Sequence, residues 1–276
     1  MAKPGFQTAE ILITVKTYPS PSATYEETVC VAGARLDDGP PTWIRLYPVR
    51  FRGIGDEYQF AKYARVTVDV RAHGGKDIRV ESHRPDQYSL RVSEQVSASR
   101  GWSLRRRLLG DLVGSVTTCG LRADTGSASH GAPRSLGLIQ PIVDKVIVEP
   151  GKPWDGDQLA KIKRASEDTL LGPGLPPLEP MPYEVRYKYR CRSESCPGHN
   201  QKVLDWELGE AGRKWRRRHG DAAAKRMIKQ KWADQMCDPS VDLHFFIGNQ
   251  ARRHQTFSIL GTWYPPKLAE LDLTLF

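Results

Sequence analysis

The chain has 276 residues, with 41 Lys and Arg against 32 Asp and Glu, and a formal net charge of +9. This excess of positive charge indicates a polyanionic partner, most often nucleic acid. The 24 Gly and 20 Pro residues argue against a helical bundle, and no apolar run approaches the roughly 20 residues of a membrane helix. The N-terminal segment lacks the apolar stretch of a secretory signal, and the five cysteines are not spaced as a disulfide scaffold. We therefore expect a cytoplasmic, reducing setting and no membrane partner.

Short segments near the N-terminus have the composition of β-strands. They alternate apolar and polar residues or are rich in Ile and Val, and turn residues separate them. In one of them Trp43, Arg45 and Tyr47 share a face, while Ile44 and Leu46 lie on the other. Such a series predicts a small closed or partly closed β-barrel. The predicted strands are 9–16, 28–36, 42–51, 64–73 and 76–85.

The middle of the chain mixes helix, loop and strand patterns. Ser103 can cap a helix that extends to residue 114, and 118–135 has the composition of a loop. Segment 136–150 has strand character and either belongs to the first barrel or begins a second one. A helix is predicted over 156–171. The Pro/Gly-rich segment 172–182 is the clearest linker, so the predicted domains are 1–171 and 183–276.

The C-terminal part combines strands with helices. Segment 183–191 alternates strictly, with Tyr183, Val185, Tyr187 and Tyr189 on one face, which is typical of a half-buried strand. Segment 202–208 is either a short strand or the start of a helix. Two helical segments follow, broken at Gly220, and the predicted final strands are 243–249 and 255–265.

A metal site is predicted from the segment RCRSESCPGHN. It places two cysteines and a histidine in a polar loop after a strand, a spacing typical of zinc ligands. A structural zinc takes four ligands. A catalytic zinc with three protein ligands and a water is the less favoured alternative. The predicted ligands are Cys191, Cys196, His199 and Cys237, with His219 or His244 as substitutes for Cys237.

A run of basic residues lies between Glu210 and Lys231. Only two acidic residues oppose it, so most of the net charge is local. Trp215 and Trp232 interleave with it, and cations near aromatic rings suit single-stranded nucleic acid. The alternative is an ordinary solvated helix face. The residues predicted to bind nucleic acid are Arg213, Lys214, Arg216, Arg217, Arg218, Lys225, Arg226 and Lys229, together with Trp43 and Arg45 on the barrel.

A carboxylate pair offers a different function. Asp205 and Glu207 would share one face of a strand, as Mg²⁺ ligands of a nuclease do. The favoured alternative is a structural pair that forms salt bridges with the basic helix. A His244–Asn249–His254 nuclease set is less favoured still, because the segment after His254 has strand rather than helix character. The sequence contains no P-loop, dinucleotide-binding, GxSxG or HExxH motif.

A short N-terminal segment, VCVAGARLDDGPPTWIRLYPV, resembles bacterial dual OB-fold proteins. The matching residues are Cys30, Ala32, Gly33 and the run Trp43-Ile44-Arg45, although Pro48 comes later than in that family. The resemblance implies an OB-like barrel with a groove for oligonucleotides and no catalytic residue. The predicted fold class is therefore α+β, with an N-terminal OB-like barrel and a C-terminal zinc-stabilised α+β module.

Three functions follow from these patterns. The favoured one is a nucleic-acid-binding protein that prefers single strands, in a bacterial DNA-processing or anti-phage defence system, with structural zinc. The second is a nuclease that uses Asp205 and Glu207 with Mg²⁺. The third is a docking subunit of a larger complex, in which the basic helices bind an acidic protein.

Overall fold

The structure is a computed structural model. It describes residues 3–52, 55–73, 77, 79–126, 133–168, 174–250 and 253–268. The first two residues of the predicted linker and the C-terminal end of the second predicted domain lie outside these ranges. In the described part, no helix is long and apolar enough to cross a membrane.

The N-terminal strands close into a five-stranded barrel. The ring runs β1, β5, β6, β4, β3 and back to β1, with β4 and β6 parallel and every other neighbouring pair antiparallel. This arrangement is OB-like, so the predicted α+β class with an N-terminal OB-like barrel is confirmed. The strands are β1 (Gln7–Lys16), β2 (Ser20–Ser22, outside the ring), β3 (Glu26–Arg35), β4 (Thr42–Val49), β5 (Ala64–Ala72) and β6 (Ser82–Gln95).

Alternation along the strands builds the core of this barrel. Val66, Val68 and Val70 of β5 point inward, as do Ile44 and Leu46 of β4. Burial of such side chains contributes about 1.5–3 kcal/mol each. The opposite face of β4 is covered by later parts of the chain rather than by solvent.

Two helices follow the barrel. They are α1 (Ser99–Leu109) and α2 (Thr118–Gly126). The backbone of Arg100, Gly101 and Trp102 is left-handed, so regular helix begins at Ser103, where the sequence predicted it. The prediction of a loop over 118–135 is wrong for 118–126, which form α2. Two residues of this short helix, Thr118 and Leu121, are fully buried, and Arg122 and Ala123 are exposed.

The remaining strands form a second ring of the same order. One sheet runs β10, β9, β8 and the other β12, β11, β7. They meet where Val203, just after β10, bridges Ile259 of β12 in parallel, and where β7 continues into β8. The elements are β7 (Leu136–Ile139), β8 (Ile142–Pro150), α3 (Gly156–Ala165), β9 (Tyr183–Arg190), β10 (His199–Lys202), α4 (Trp206–His219), α5 (Asp221–Lys229), a π-helical segment (Gln230–Gln235), β11 (His244–Gln250) and β12 (Arg253–Trp263).

The strand pairing of the second ring crosses the segment predicted as the domain boundary. The segment predicted as a linker, 172–182, lies between β8 and β9, which are antiparallel neighbours. Strands β7 and β8 precede that segment but pair with strands that follow it. The boundary at 172–182 stays a prediction, and the pairing places 136–150 in the second ring.

The two rings pack on each other through a shared apolar layer. Leu12 and Ala34 of the first ring lie in one cluster with Leu138, Phe246 and Trp263 of the second. The second ring therefore covers the outward face of β4, and the side chains on that face lie between the two rings.

Candidate metal centre and nucleic-acid interface

Four side chains gather at one edge of the second ring. Cys119 comes from the first turn of α2, Cys191 follows β9, Cys196 lies in the next loop and His199 begins β10. Their ligand atoms all lie within 4.8 Å of one another. Among the described residues, this is the one group of three or more His, Cys, Asp or Glu side chains close enough together to bind a metal ion.

The geometry fits a tetrahedral ion. The Nε2 atom of His199 lies 3.4 Å from the sulfurs of Cys119 and Cys191 and 3.3 Å from that of Cys196. The sulfurs of Cys119 and Cys196 are 3.6 Å apart, far beyond the roughly 2.05 Å of a disulfide. Tetrahedral zinc, with bonds of about 2.3 Å to sulfur and 2.0 Å to nitrogen, places ligand atoms about 3.5–3.8 Å apart.

The protonation of these groups also suits metal binding. Burial and the nearby charge of Arg122 lower the pKa of His199, so its imidazole is neutral near pH 7. Burial raises the pKa of Cys196, but backbone N–H groups of Cys191 and Gly198 donate to its sulfur, and the net shift is downward. Burial and the neighbouring thiols raise the pKa of Cys119 to about 12. A bound cation would supply the charge that deprotonates Cys119.

The fourth ligand differs from the one that the sequence predicted. Cys237 was predicted, yet Cys119 completes the group and Cys237 lies elsewhere, in a groove with Met236 and Leu243. The physical reason is the position of α2, which packs against β7 and β12 and carries Cys119 over the loop after β9. Cys119 lies in the segment predicted as a loop, where the sequence alone leaves it as either a free thiol or an additional ligand.

The predicted basic residues form an exposed surface on α4 and α5, which we name the basic surface. It consists of Lys214, Arg216, Arg217, Arg218, Lys225, Arg226 and Lys229. Arg217 pairs with Glu179 at 2.5 Å, and the other six form no ion pair with the described residues. Unpaired exposed cations of one sign attract a polyanion.

One residue predicted to bind nucleic acid and the two tryptophans that interleave with the basic run lie outside the basic surface. Arg213 contacts the Tyr18 hydroxyl and Glu210, with its guanidinium over the Tyr18 ring. Trp232 is 1% exposed, and Trp215 packs edge-on to it with ring centres 6.3 Å apart. Trp232 belongs to the core of the second ring and Trp215 packs against that core, so they are not stacking platforms beside the basic surface.

The two predicted barrel residues are covered by the second ring. Trp43 packs edge-on against Phe246, with ring centres 6.1 Å apart. Arg45 is 2% exposed and donates to Cys30 Sγ at 3.1 Å and to the Ser135 carbonyl at 3.1 Å. The alternation predicted for this strand is present, but its polar face lies between the rings.

The carboxylate pair lies at the start of a helix, not on a strand. Asp205 is the N-cap of α4, and its Oδ1 accepts from the Glu207 N–H at 3.0 Å. Its Oδ2 accepts from Lys62 Nζ at 3.0 Å, and Lys62 also lies 3.5 Å from Glu207. Both oxygens of Asp205 therefore already have partners. The structural pair favoured by the sequence analysis has its cation on the first ring, not on the basic helix.

A cleft opens between the two rings beside these residues, and we name it the inter-ring cleft. It has a volume of about 520 Å³. The first ring contributes the segment 17–20 after β1 and residues of β3 and β4, and the second contributes parts of β10, β11 and β12. In OB-folds, the face of the second and third barrel strands and the adjoining loops form the oligonucleotide groove. Here those elements are β3, β4 and the segments after β1 and β5.

These features define a protein of two OB-like rings with a clustered thiol–imidazole site. The chain belongs to the family described as Domain of unknown function (DUF8757), whose model matches residues 114–276, more than half of the chain. Residues 7–111 match a second family, Domain of unknown function (DUF8758). Neither match is to the bacterial dual OB-fold family, and that resemblance stays a prediction.

The chain also has similarities among solved structures. No sequence among curated proteins matches the chain. Among solved structures, the chain is similar to one titled "Crystal structure of p204 HINb domain", at 9% sequence identity and a TM-score of 0.32, over 95% of this chain and 98% of that one. A similarity at this score carries no argument about fold or function, so the OB-like assignment rests on the strand pairing.

Proposed function

We propose that the protein binds nucleic acid, with single strands preferred, through the basic surface of α4 and α5. The observation that carries this proposal is the set of six exposed cations that have no acidic partner among the described residues. Each phosphate that such a cation neutralises releases counterions, which drives binding at low salt. The two OB-like rings support the proposal, because OB-folds present a groove of a size that suits a single strand.

The metal centre has a structural role in this proposal. Four protein ligands leave no open position for a substrate, as in structural zinc sites. The ion would be zinc, held by Cys119, Cys191, Cys196 and His199. It would fix α2 to the loop between β9 and β10 and so hold the connection between the rings against the second ring.

The proposal is tested by charge reversal on the basic surface. The triple variant Lys214→Glu, Arg216→Glu and Arg218→Glu should weaken binding of a fluorescein-labelled single strand at least about tenfold. The slope of log affinity against log salt concentration should become less negative by about 2, because each phosphate contact with a single strand contributes roughly −0.7 to that slope. Fluorescence anisotropy over a salt series, with DNA and RNA and with single and double strands, measures both quantities.

A matched control separates local contact from net charge. Lys145, Lys152 and Lys163 are exposed residues outside α4 and α5, and reversing all three changes the net charge by the same amount. If both triples lose affinity equally, the basic surface is not the binding site. If neither does while a pull-down partner is lost from the first triple, the docking-subunit alternative replaces the proposal. The role in bacterial DNA processing or defence is a further prediction of this function.

A further inference from the structure

The inter-ring cleft has an unusual balance of charge. Arg45, Arg79 and Lys202 line it, and no Asp or Glu is among the described residues of its wall. Two of these cations have partners behind the wall. Arg79 pairs with Asp77 at 2.6 Å, and Lys202 pairs with Glu184 at 2.6 Å.

Arg45 differs from the other two cations. It has no carboxylate within ion-pairing distance among the described residues, although it is 2% exposed. Its two terminal nitrogens donate to Cys30 Sγ and to Ser135, and its Nε has no hydrogen-bond partner in the described part of the chain. Ser135 in turn donates from its N–H and its hydroxyl to the buried carboxylate of Glu81, so this anion reaches Arg45 only through Ser135. A buried guanidinium with no directly paired anion and with an unused donor is costly. An anionic or acceptor-rich ligand in the cleft would remove this cost.

An unused acceptor lines the same cleft. Asn249 is 4% exposed, and its Nδ2 donates to the His254 carbonyl at 2.8 Å, which fixes the orientation of the amide. Its Oδ1 has no hydrogen-bond partner among the described residues. The side chains that line the cleft therefore include one donor and one acceptor, both buried and unpaired among the described residues, a combination that the edge of a nucleobase can satisfy.

The rest of the wall suits a flat ring. Tyr18, Tyr47 and Trp154 line the cleft together with Leu204 and Leu260. Aromatic and aliphatic walls with a few convergent polar groups are typical of small-ligand sites, and about 520 Å³ is within their usual range. Stacking of a base on an aromatic side chain contributes about 1–3 kcal/mol.

We propose that the inter-ring cleft binds one nucleotide unit. The base lies against the aromatic wall and bonds to Asn249 and Arg45, and the phosphate lies near the cleft cations. If the bound nucleotide is one unstacked nucleotide of a longer single strand, the inference rests on the function proposed above. A free mononucleotide offers the same chemistry, and the experiment separates the two sources.

The first arm uses free nucleotides. Calorimetric titration with AMP and with UMP should show saturable binding to the wild type. Tyr47→Ala, a change at a half-buried cleft residue, should weaken this binding at least about tenfold, as should Arg45→Gln if thermal unfolding shows that it folds. Tyr88→Ala is the matched control, because Tyr88 is 69% exposed and does not line the cleft.

The second arm uses a single strand that carries 5-bromodeoxyuridine, which cross-links to aromatic side chains on irradiation. Cross-linked peptides that contain Tyr18, Tyr47 or Trp154, lost in a Ser258→Trp variant that fills the cleft, assign the unit to a bound strand. Saturable AMP or UMP binding without such cross-links assigns it to a free nucleotide. Absence of both in the wild type overturns the inference.

The two proposals fail separately. Reversal of Lys214, Arg216 and Arg218 should weaken the strand and leave AMP binding unchanged. If the wild type binds AMP but no oligonucleotide, the function proposed above is wrong and this inference stands. If the wild type binds strands with cross-links confined to α4 and α5, and binds neither mononucleotide, the inference is wrong and the function stands.

Discussion

The Nζ atom of Lys62 lies 3.0 Å from Oδ2 of Asp205, in an ion pair that joins the first ring to the second. The side chains of Lys62 and Asp205 are 3% and 1% exposed. Burial opposes the charge on Lys62, but the carboxylates of Asp205 and Glu207 hold its pKa above the usual range. The pair fixes the N-terminus of α4 and with it the start of the basic surface.

Removal of one partner should destabilise the protein strongly. Lys62→Met leaves Asp205 buried without a cation, which should cost about 3–5 kcal/mol. Urea unfolding of the variant measures this. The double variant Lys62→Met with Asp205→Leu should lose less than the sum of the two single losses, because it leaves no unpaired charge. Additive losses would show that the pair is not coupled.

The same carboxylates test the nuclease alternative. Under that alternative, Glu207→Gln abolishes Mg²⁺- or Mn²⁺-dependent cleavage while it leaves nucleic-acid affinity intact. We expect no such cleavage by the wild type, because both oxygens of Asp205 are already bonded. Incubation of labelled DNA and RNA with each metal measures it. Cleavage that disappears in Glu207→Gln would establish the enzyme instead.

The metal centre makes a prediction that distinguishes two cysteines. The wild type should contain one zinc per chain, lost in Cys119→Ser and retained in Cys237→Ser, because only Cys119 lies in the ligand group. Elemental analysis of purified protein measures both. Chelation should lower the melting temperature of the wild type and of Cys237→Ser, and should not change that of Cys119→Ser. Loss of zinc from Cys237→Ser alone would place the fourth ligand there.

A close helix contact gives a further prediction. A Cβ at Gly209 of α4 would lie 2.3 Å from two ring atoms of Tyr18. Gly209→Ala should therefore destabilise by about 1–3 kcal/mol through overpacking, although alanine favours a helix. Gly156→Ala in α3 is the control, because no atom of the described residues lies within 4 Å of its Cβ position. Equal unfolding midpoints for the two variants would contradict the contact.

The ion pair between Asp77 and Arg79, a residue that lines the inter-ring cleft, should make a pH-dependent contribution to stability. Burial raises the pKa of Asp77, but its hydrogen bonds from Arg79 outweigh burial and hold the pKa well below the usual range. Stability from this group is therefore full above the ordinary Asp pKa of about 4 and is lost as pH falls below it. Urea midpoints at pH 7 and pH 3 should differ less for Asp77→Asn than for the wild type. The exposed Asp38→Asn should behave as the wild type does.

Local patterns in the sequence determined much of the fold. Strand composition and period-two alternation located four of the five barrel strands, because one face of each strand is buried. The fifth, predicted at 76–85, lies at Ser82–Gln95 instead, and residues 76 and 78 of the predicted strand lie outside the described ranges. Gly220 separated α4 from α5, and its φ of 75° shows why a glycine ends the helix there. The close spacing of Cys191, Cys196 and His199 along the chain indicated a metal site, since those three ligands need no distant part of the chain.

Only the tertiary structure shows which parts of the chain pack against each strand face and which distant residues come into contact. Periodicity shows that Arg45 and Trp43 share a face, but not that a second ring covers it. Cys119 lies 77 positions before Cys196, and Lys62 lies 143 positions before Asp205. Neither separation leaves a local pattern in the sequence. Such contacts form only when whole elements pack, because burial selects their partners from the entire chain.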